Sequence, residues 1–255
     1  PHADPHADPH ADPHADPHAD PHADPHADAH DGRAPADPRA GLPDVLDASE
    51  RAQLSRLRPA RDRARYLTAH TALRLVLAAA LDADPRALRF GRQAHPLRRG
   101  PRGRPVLVDG ADGTAAAPGR VSDRAPAGCG PVVEFSLSHG GGLVAVAVAG
   151  RGFPVGVDVE PVVGADALVV VPRLHPAERR LVEHAPESDR PAAFTRLWTR
   201  KEAHAKAVGT GLDGRLDADD LTGAPPGWTV VDRAVPGHIV ALAVRSGSAS
   251  SASDG

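Results

Sequence analysis

The sequence has one cysteine, Cys129, no methionine, and only seven aromatic residues among 255. A single thiol excludes an internal disulfide framework and any multi-cysteine zinc site. So few aromatics leave no stacking platform for single-stranded nucleic acid. The longest apolar run, Leu143 to Ala149, is far short of the roughly 20 residues that span a bilayer. No charged and then apolar leader opens the chain. Lysine is nearly missing as well: 28 of the 30 basic residues are Arg, and the exceptions are Lys201 and Lys206. The expectation is a soluble, cytoplasmic protein of a reducing compartment, with neither nucleic acid nor membrane as partner. With no Met and Pro1 first, the sequence is also expected to be a piece of a longer product whose opening repeat continues upstream.

That repeat is seven copies of Pro-His-Ala-Asp over residues 1–28, holding seven Asp, seven of the 15 His and no Lys or Arg. Setting it aside moves the formal charge from −3 to +4, so an acidic tail is joined to a basic body. A proline at every fourth position blocks a continuous helix, and the repeat has no apolar face to bury. Residues 1–41 are therefore expected to be a disordered low-complexity tail with no site; weak Zn²⁺ or Ni²⁺ binding is the one chemistry its imidazoles offer. A Gly-, Ala- and Pro-rich stretch, 109–131, reads as an inserted loop in which Cys129 is incidental, and 246–255 reads as a second tail. The body, 42–245, suffices for one large domain or two small ones.

Within the body, apolar residues at helical spacing predict a helix over 62–81, through Tyr66, Leu67, Leu73, Val76, Leu77, Ala80 and Leu81. Arg61, Arg63, Arg65 and Arg74 are expected to decorate it. Seven arginines between Arg86 and Arg104 suggest a phosphate-bearing partner, although the bias toward Arg explains much of that density. From Val132 to Glu160 the period changes to two. Strands are expected over 132–137, 143–149 and 155–160, with a turn at Gly150-Arg151-Gly152. Helices are expected over 175–183 and 192–208, the second stopped by Gly209. A closing hairpin is expected over 228–232 and 238–244 around Pro236-Gly237. This order favours a mixed α+β architecture over a doubly wound parallel sheet.

Two features carry chemistry. In Val155-Gly156-Val157-Asp158-Val159-Glu160 the valines take one strand face, and Gly156, Asp158 and Glu160 take the other. Carboxylates two residues apart on a strand are about 7 Å apart, close enough to reach one hard cation, with Gly156 expected to keep that face open. Oxygen ligands in an incomplete cage suit Mg²⁺. The second feature is the helix carrying Trp198, Glu202 and Lys206, which four-residue spacing puts on one stripe. That both lysines fall on this helix suggests a compact ammonium is needed there. Trp198 reads as core. His184 and His204 read as surface residues, His139 as a turn histidine, and Gly209-Thr210-Gly211 as a helix stop.

Together these residues resemble the 4′-phosphopantetheinyl transferases, in the long single-chain form typified by the surfactin-synthetase activator. Gly156-Val-Asp158-Val-Glu160, followed about forty residues later by Trp198-Thr-Arg-Lys201-Glu202-Ala-His-Ala-Lys206, is similar to that family's paired signature. Phe135-Ser-Leu-Ser138-His139 resembles its Phe-Asn-x-Ser-His segment, His175-Pro-Ala-Glu178 its Ser-Pro-x-Glu segment, and Gly103-Arg104-Pro105 its Gly-Lys-Pro turn. The helix from Asp62 to Arg74 resembles its early helix. The likeness runs from about Leu42 to Arg245.

The resemblance implies transfer of phosphopantetheine from coenzyme A to a serine of an acyl or peptidyl carrier protein, releasing 3′,5′-ADP. It implies two similar α+β halves, approximately 42–150 and 151–245, related by a pseudo-twofold axis with the site between them, in a monomer. Asp158, Glu160 and Glu202 would hold Mg²⁺ on the pyrophosphate, Glu202 would be the general base, and Lys206 would contact the pyrophosphate. His139 and Arg65 would grip the 3′-phosphate, while Ser138, Arg104 and Pro105 would line the adenine pocket. Three departures stand out. Ser136 replaces Asn, Arg104 replaces Lys, and Gly140 begins a glycine run expected to loosen the phosphate grip; Arg51 is a further basic candidate. Two other readings stand beside it: a metal-dependent phosphohydrolase using the same three carboxylates, and a non-catalytic module binding carrier protein or metal, with the His-rich tail as its working part.

Overall fold

The structure, a computed structural model, describes residues 41–93, 103–108, 133–212 and 215–246, all within one unit spanning Ala36–Gly255. The four-residue repeat, the stretch 109–131 with Cys129, and the segment 247–255 lie outside the described residues.

A short helix precedes the first expected one. Asp47 caps α1 (Ala48–Arg56): its carboxylate accepts from the Glu50 amide, and Glu50 Oε2 accepts from the Asp47 amide, a reciprocal capping box. Helix α2 (Ala60–Leu81) covers the stretch that periodicity predicted and ends at Asp82, φ 50°. Arg74, expected on its surface, is instead fully buried. Its guanidinium pairs with Asp47 and Glu50, each at 2.7 Å, and Nη1 donates to the carbonyls of Pro85 and Leu88. A charge can be buried when it is paired and hydrogen-bonded, and here one side chain ties α1, α2 and the following loop together. The face around Arg74 is therefore the inner one. Leu67, Leu73 and Leu77 share it, whereas Val76 and Ala80, expected inward, are exposed.

The strands are all antiparallel where they pair. Two short ones not anticipated, β1 (Phe90–Arg92) and β2 (Pro105–Leu107), pair with each other. β3 (Val133–Gly140) and β4 (Leu143–Gly150) form a hairpin closed by Gly141 and Gly142. Both turn residues have positive φ, 52° and 88°, as a two-residue type I′ hairpin requires. β3 continues through His139, so that residue belongs to a strand and not to a turn. β5 (Val155–Pro161), β6 (Trp228–Val235) and β7 (His238–Arg245) form a second sheet in the order β5-β7-β6.

Between β5 and β6 lie a 3-10 helix over Ala165–Arg173, α3 (Pro176–His184), a 3-10 turn over Glu187–Asp189, and α4 (Arg190–Val208). The result is the mixed α+β arrangement read from the sequence. α4 is its central element. Phe194 and Leu197 pack with Val171, Leu174, Val182 and Leu216, while Ala203 and Ala207 pack with Leu221, Val230, Ala241 and Ala243. Because α4 is covered on several sides, it buries polar groups too, among them Thr195, Thr199, Arg200, Lys201 and His204. His204, expected at the surface, sits edge-on to Trp228 with ring centroids 4.8 Å apart, and burial lowers its pKa. His184 is exposed and Trp198 is partly buried against the Phe194 cluster, both as expected. Gly209 stops the helix at φ 86°, its amide donating to Ala205. Among the described residues no helix is long and apolar enough to cross a membrane.

Candidate functional site

The two larger sheets meet where β3 runs beside β5, and small side chains make the seam. Ser136 Oγ accepts from the Val157 amide at 3.1 Å, and Ser138 Oγ donates to Asp158 Oδ1 at 2.8 Å. At Gly140 a Cβ would lie 2.3 Å from the Val159 carbonyl oxygen. The glycine that was expected to loosen this region is thus its point of closest approach. Gly141 and Gly142 belong to the hairpin turn.

Helix α4 packs on β5 at Gly156. A Cβ on Gly156 would fall 2.0 Å from the Ala203 carbonyl oxygen and 2.6 Å from the Ala207 nitrogen. The expectation that Gly156 keeps an open face is therefore corrected: the helix backbone fills that face, and only glycine admits it. Asp158 is two residues along on the same strand face, so the close approach at Gly156 brings its carboxylate to the α4 stripe. Lys206 Nζ reaches Asp158 Oδ1 at 2.6 Å and donates to Ser138 Oγ at 3.0 Å. Trp198, Glu202 and Lys206 are all partly buried, whereas their neighbours Thr199, Lys201, Ala203, Ala205 and Ala207 are buried.

Electrostatics single out Glu202. Burial and the nearby charge of Asp158 push its carboxyl up to about 7, against the opposing effect of Lys206. A carboxyl poised there can both take and release a proton near neutral pH. Asp158 is almost wholly buried, and its second oxygen, Oδ2, has no hydrogen-bond partner.

Among the described residues no group of three or more His, Cys, Asp or Glu side chains is gathered closely enough to hold a metal ion. Asp158, Glu160 and Glu202 are therefore not drawn into a ready-made cage; the Lys206 ammonium sits on Asp158 instead. The donor chemistry nevertheless fits a hard cation. All three side chains offer oxygen, and Asp158 Oδ2 is a buried acceptor with nothing to accept.

The remaining expected residues lie on other elements. His139 is on β3 and Glu160 on β5, opposite Val144 and Ile239 in their respective ladders. The Ser138 hydroxyl is buried and turned to Asp158. Arg104 pairs with Glu134 at 3.3 Å, and its stem lies against Gly209 at the end of α4; Pro105 follows on β2. Arg65 is partly buried on α2 and makes no ion pair with a described residue. The basic candidate Arg51 donates to the Leu46 carbonyl and reaches Asp44 at 3.4 Å, lining an open cavity of about 380 Å³ with Arg86 and Arg89. Arg86 and Arg89 donate there to backbone carbonyls, so part of the arginine density holds loops in place.

Two residues acquired roles that the motifs alone did not convey. Lys201 is buried and pairs with Glu178 at 2.9 Å while donating to the Asp219 carbonyl. Glu178, itself fully buried, also accepts from the Leu221 amide and, through its other oxygen, from His175. This pair fastens α3 and the 219–221 segment to α4 one residue before Glu202. Ser136 is the other, its hydroxyl bridging the sheets. Its signal was present in the alternation of β3, where Ser136, Ser138 and Gly140 occupy one face.

Comparison with known proteins agrees with the motif reading. Residues 154–238 match the family model of the 4′-phosphopantetheinyl transferase superfamily. A Synechocystis sp. protein provisionally named a 4′-phosphopantetheinyl transferase is 29% identical over 189 residues, covering 69% of this chain and 62% of that protein. The 4′-phosphopantetheinyl transferase gsp of Aneurinibacillus migulanus is 29% identical over 80 residues, 31% of this chain and 33% of that protein. The chain thus spans less than two thirds of the length of the curated relatives it matches.

Proposed function

We propose, since residues 154–238 match the family model of the 4′-phosphopantetheinyl transferase superfamily, that the chain moves the 4′-phosphopantetheine group of coenzyme A onto a serine of an acyl or peptidyl carrier protein. The serine oxygen forms a bond to the pantetheine-bearing phosphorus. The bond from that phosphorus to the bridging oxygen of the pyrophosphate breaks, and 3′,5′-ADP leaves with the electron pair. The observation that carries this reading is the juxtaposition of Asp158 with the α4 stripe, with Glu202 at about 7.

Glu202 takes the serine proton as general base. Lys206 offsets charge on the pyrophosphate as the bond breaks. Asp158, Glu160 and Glu202 would hold Mg²⁺, which when bound acts as a Lewis acid and template on the phosphates. His139 and Arg65 bind the 3′-phosphate, and Arg104, Pro105 and the Ser138 segment flank the adenine. The site then lies between the two halves, 42–150 and 151–245, and one chain completes it, so a monomer suffices. The basic body suits an anionic donor and an acidic carrier protein.

The test is intact-mass analysis of several apo carrier proteins, acyl and peptidyl, incubated with the chain, coenzyme A and Mg²⁺. A gain of one phosphopantetheine group on the acceptor serine is expected, and none without Mg²⁺. A folded chain that modifies no carrier protein refutes the proposal.

A further inference from the structure

We infer that Lys206 is a displaceable latch on Asp158: braced by Ser138, its ammonium neutralises the buried carboxylate in the metal-free protein, and a divalent cation binds by driving it off. The inference rests on the transferase reading only for the presence of that cation.

The contacts are specific. Asp158 Oδ1 takes two donors, Lys206 Nζ at 2.6 Å and Ser138 Oγ at 2.8 Å, and Lys206 also donates to that hydroxyl at 3.0 Å. Oδ2, on the same buried carboxylate, takes none. A lone carboxylate in such a position is costly, so without a cation the ammonium has to stay. A dication arriving at Oδ2 would share one carboxylate with that ammonium, and their repulsion at such short range is strong. The lysine is the group able to leave: its stem is flexible, and its side chain retains 17% exposure. The other lysine has no such freedom, because Glu178 and the Asp219 carbonyl hold it at 3% exposure. Once released, Lys206 remains on the stripe with Glu202, where a phosphate-bearing ligand can take its charge. Ser138 is a positioning residue in this scheme. It occupies Oδ1 and so leaves Oδ2 as the vacant acceptor.

Calorimetric titration of the full chain with MgCl₂ at pH 8 tests this, with no coenzyme A or carrier protein present. Mg²⁺ avoids the imidazoles of the tail, and Asp158→Asn supplies the blank. Lys206→Met and Lys206→Gln should each bind Mg²⁺ at least about tenfold tighter than the wild type, since a competing charge within contact distance has gone. Gln keeps a donor for Ser138, so it covers the case in which Met does not fold. Equal or weaker binding by a folded variant overturns the latch and leaves the transferase reading standing. If neither the wild type nor the variants bind Mg²⁺ above the blank, the latch falls, while the transferase reading is decided by carrier-protein modification with coenzyme A present.

Discussion

Gly156→Ala probes the step on which the whole site depends. The added Cβ would sit 2.0 Å from the Ala203 oxygen, 2.6 Å from the Ala207 nitrogen and 3.1 Å from the Ala203 carbonyl carbon, where ordinary contact begins at 3.4 Å. All three are helix backbone atoms, so no side chain can swing aside. α4 and β5 must part by about 1 Å or more, and overpacking of this kind costs about 2 to 3 kcal/mol. For a body of this size each kcal/mol lowers Tm by roughly 2 to 4 °C, giving a drop of roughly 4 to 12 °C by differential scanning calorimetry. The same separation pulls Lys206 away from Asp158, now 2.6 Å apart, so carrier-protein modification should fall further than the loss of folded protein explains. Gly223→Ala is the control: no atom lies within 4 Å of its Cβ position and its φ is not positive, so its Tm should stay within a degree or two or rise slightly. A Gly156→Ala protein with wild-type Tm and wild-type transfer would show that helix and strand do not meet as described.

The raised pKa of Glu202 gives a pH signature. Folded chains hold its proton between 4.5 and about 7 where unfolded chains have lost it, so stability present below pH 4.5 is lost as pH rises through about 7; urea denaturation in EDTA should show a shallower fall for Glu202→Gln, and identical slopes would contradict the assignment. Arg74→Met should cost about 3 to 5 kcal/mol by leaving Asp47 and Glu50 facing an apolar chain, whereas Arg61→Ala removes only an exposed 3.8 Å pair with Asp62 and should cost under about 1 kcal/mol. Comparable losses in the two would mean that Arg74 is not the fastener of α1. Lys201→Met should cost about 3 kcal/mol by stranding the buried Glu178, and adding Glu178→Gln should restore part of it; a double variant worse than Lys201→Met alone would refute the pairing.

How much was legible follows from which interactions are local. Period-two alternation announced β3, β4 and β5, and the Gly209 and Pro236-Gly237 stops announced the end of α4 and the last hairpin, because strand faces and φ > 0 turns are local properties. α1 is not legible in the pattern: its nine residues include only one buried leucine, Leu54, and its anchor is an arginine 24 residues beyond Glu50. The same pairing inverted the expected face of α2 around Arg74, since a satisfied guanidinium looks like a surface residue until its acceptors are found. The strand pattern presents Gly156 as an opening where the structure has a contact, because nothing in such a pattern says which helix lands on it. Asp158, Glu202 and Lys206 were chosen by spacing and do converge, but the Ser138 bridge between them spans 68 residues of sequence, and no local pattern encodes it.

The two lysines sit in surroundings that demand different things of them. Their scarcity suggested that each stands where Arg will not serve, and the structure separates two reasons. Lys201 has to fit a buried pocket beside Glu178 and the Asp219 carbonyl; a planar guanidinium brings five donors to a place with few acceptors. Arg200, its neighbour, occupies the opposite situation, with Leu221 and Gly223 carbonyls and Asp232 all accepting from it. Lys206 faces a carboxylate with one oxygen already shared by Ser138, where a point charge on a flexible stem can be held and released, and a bidentate fork would grip both oxygens and close the cation position. On this view Lys206→Arg should preserve the fold yet weaken Mg²⁺ binding below that of the wild type, the reverse of the neutral variants.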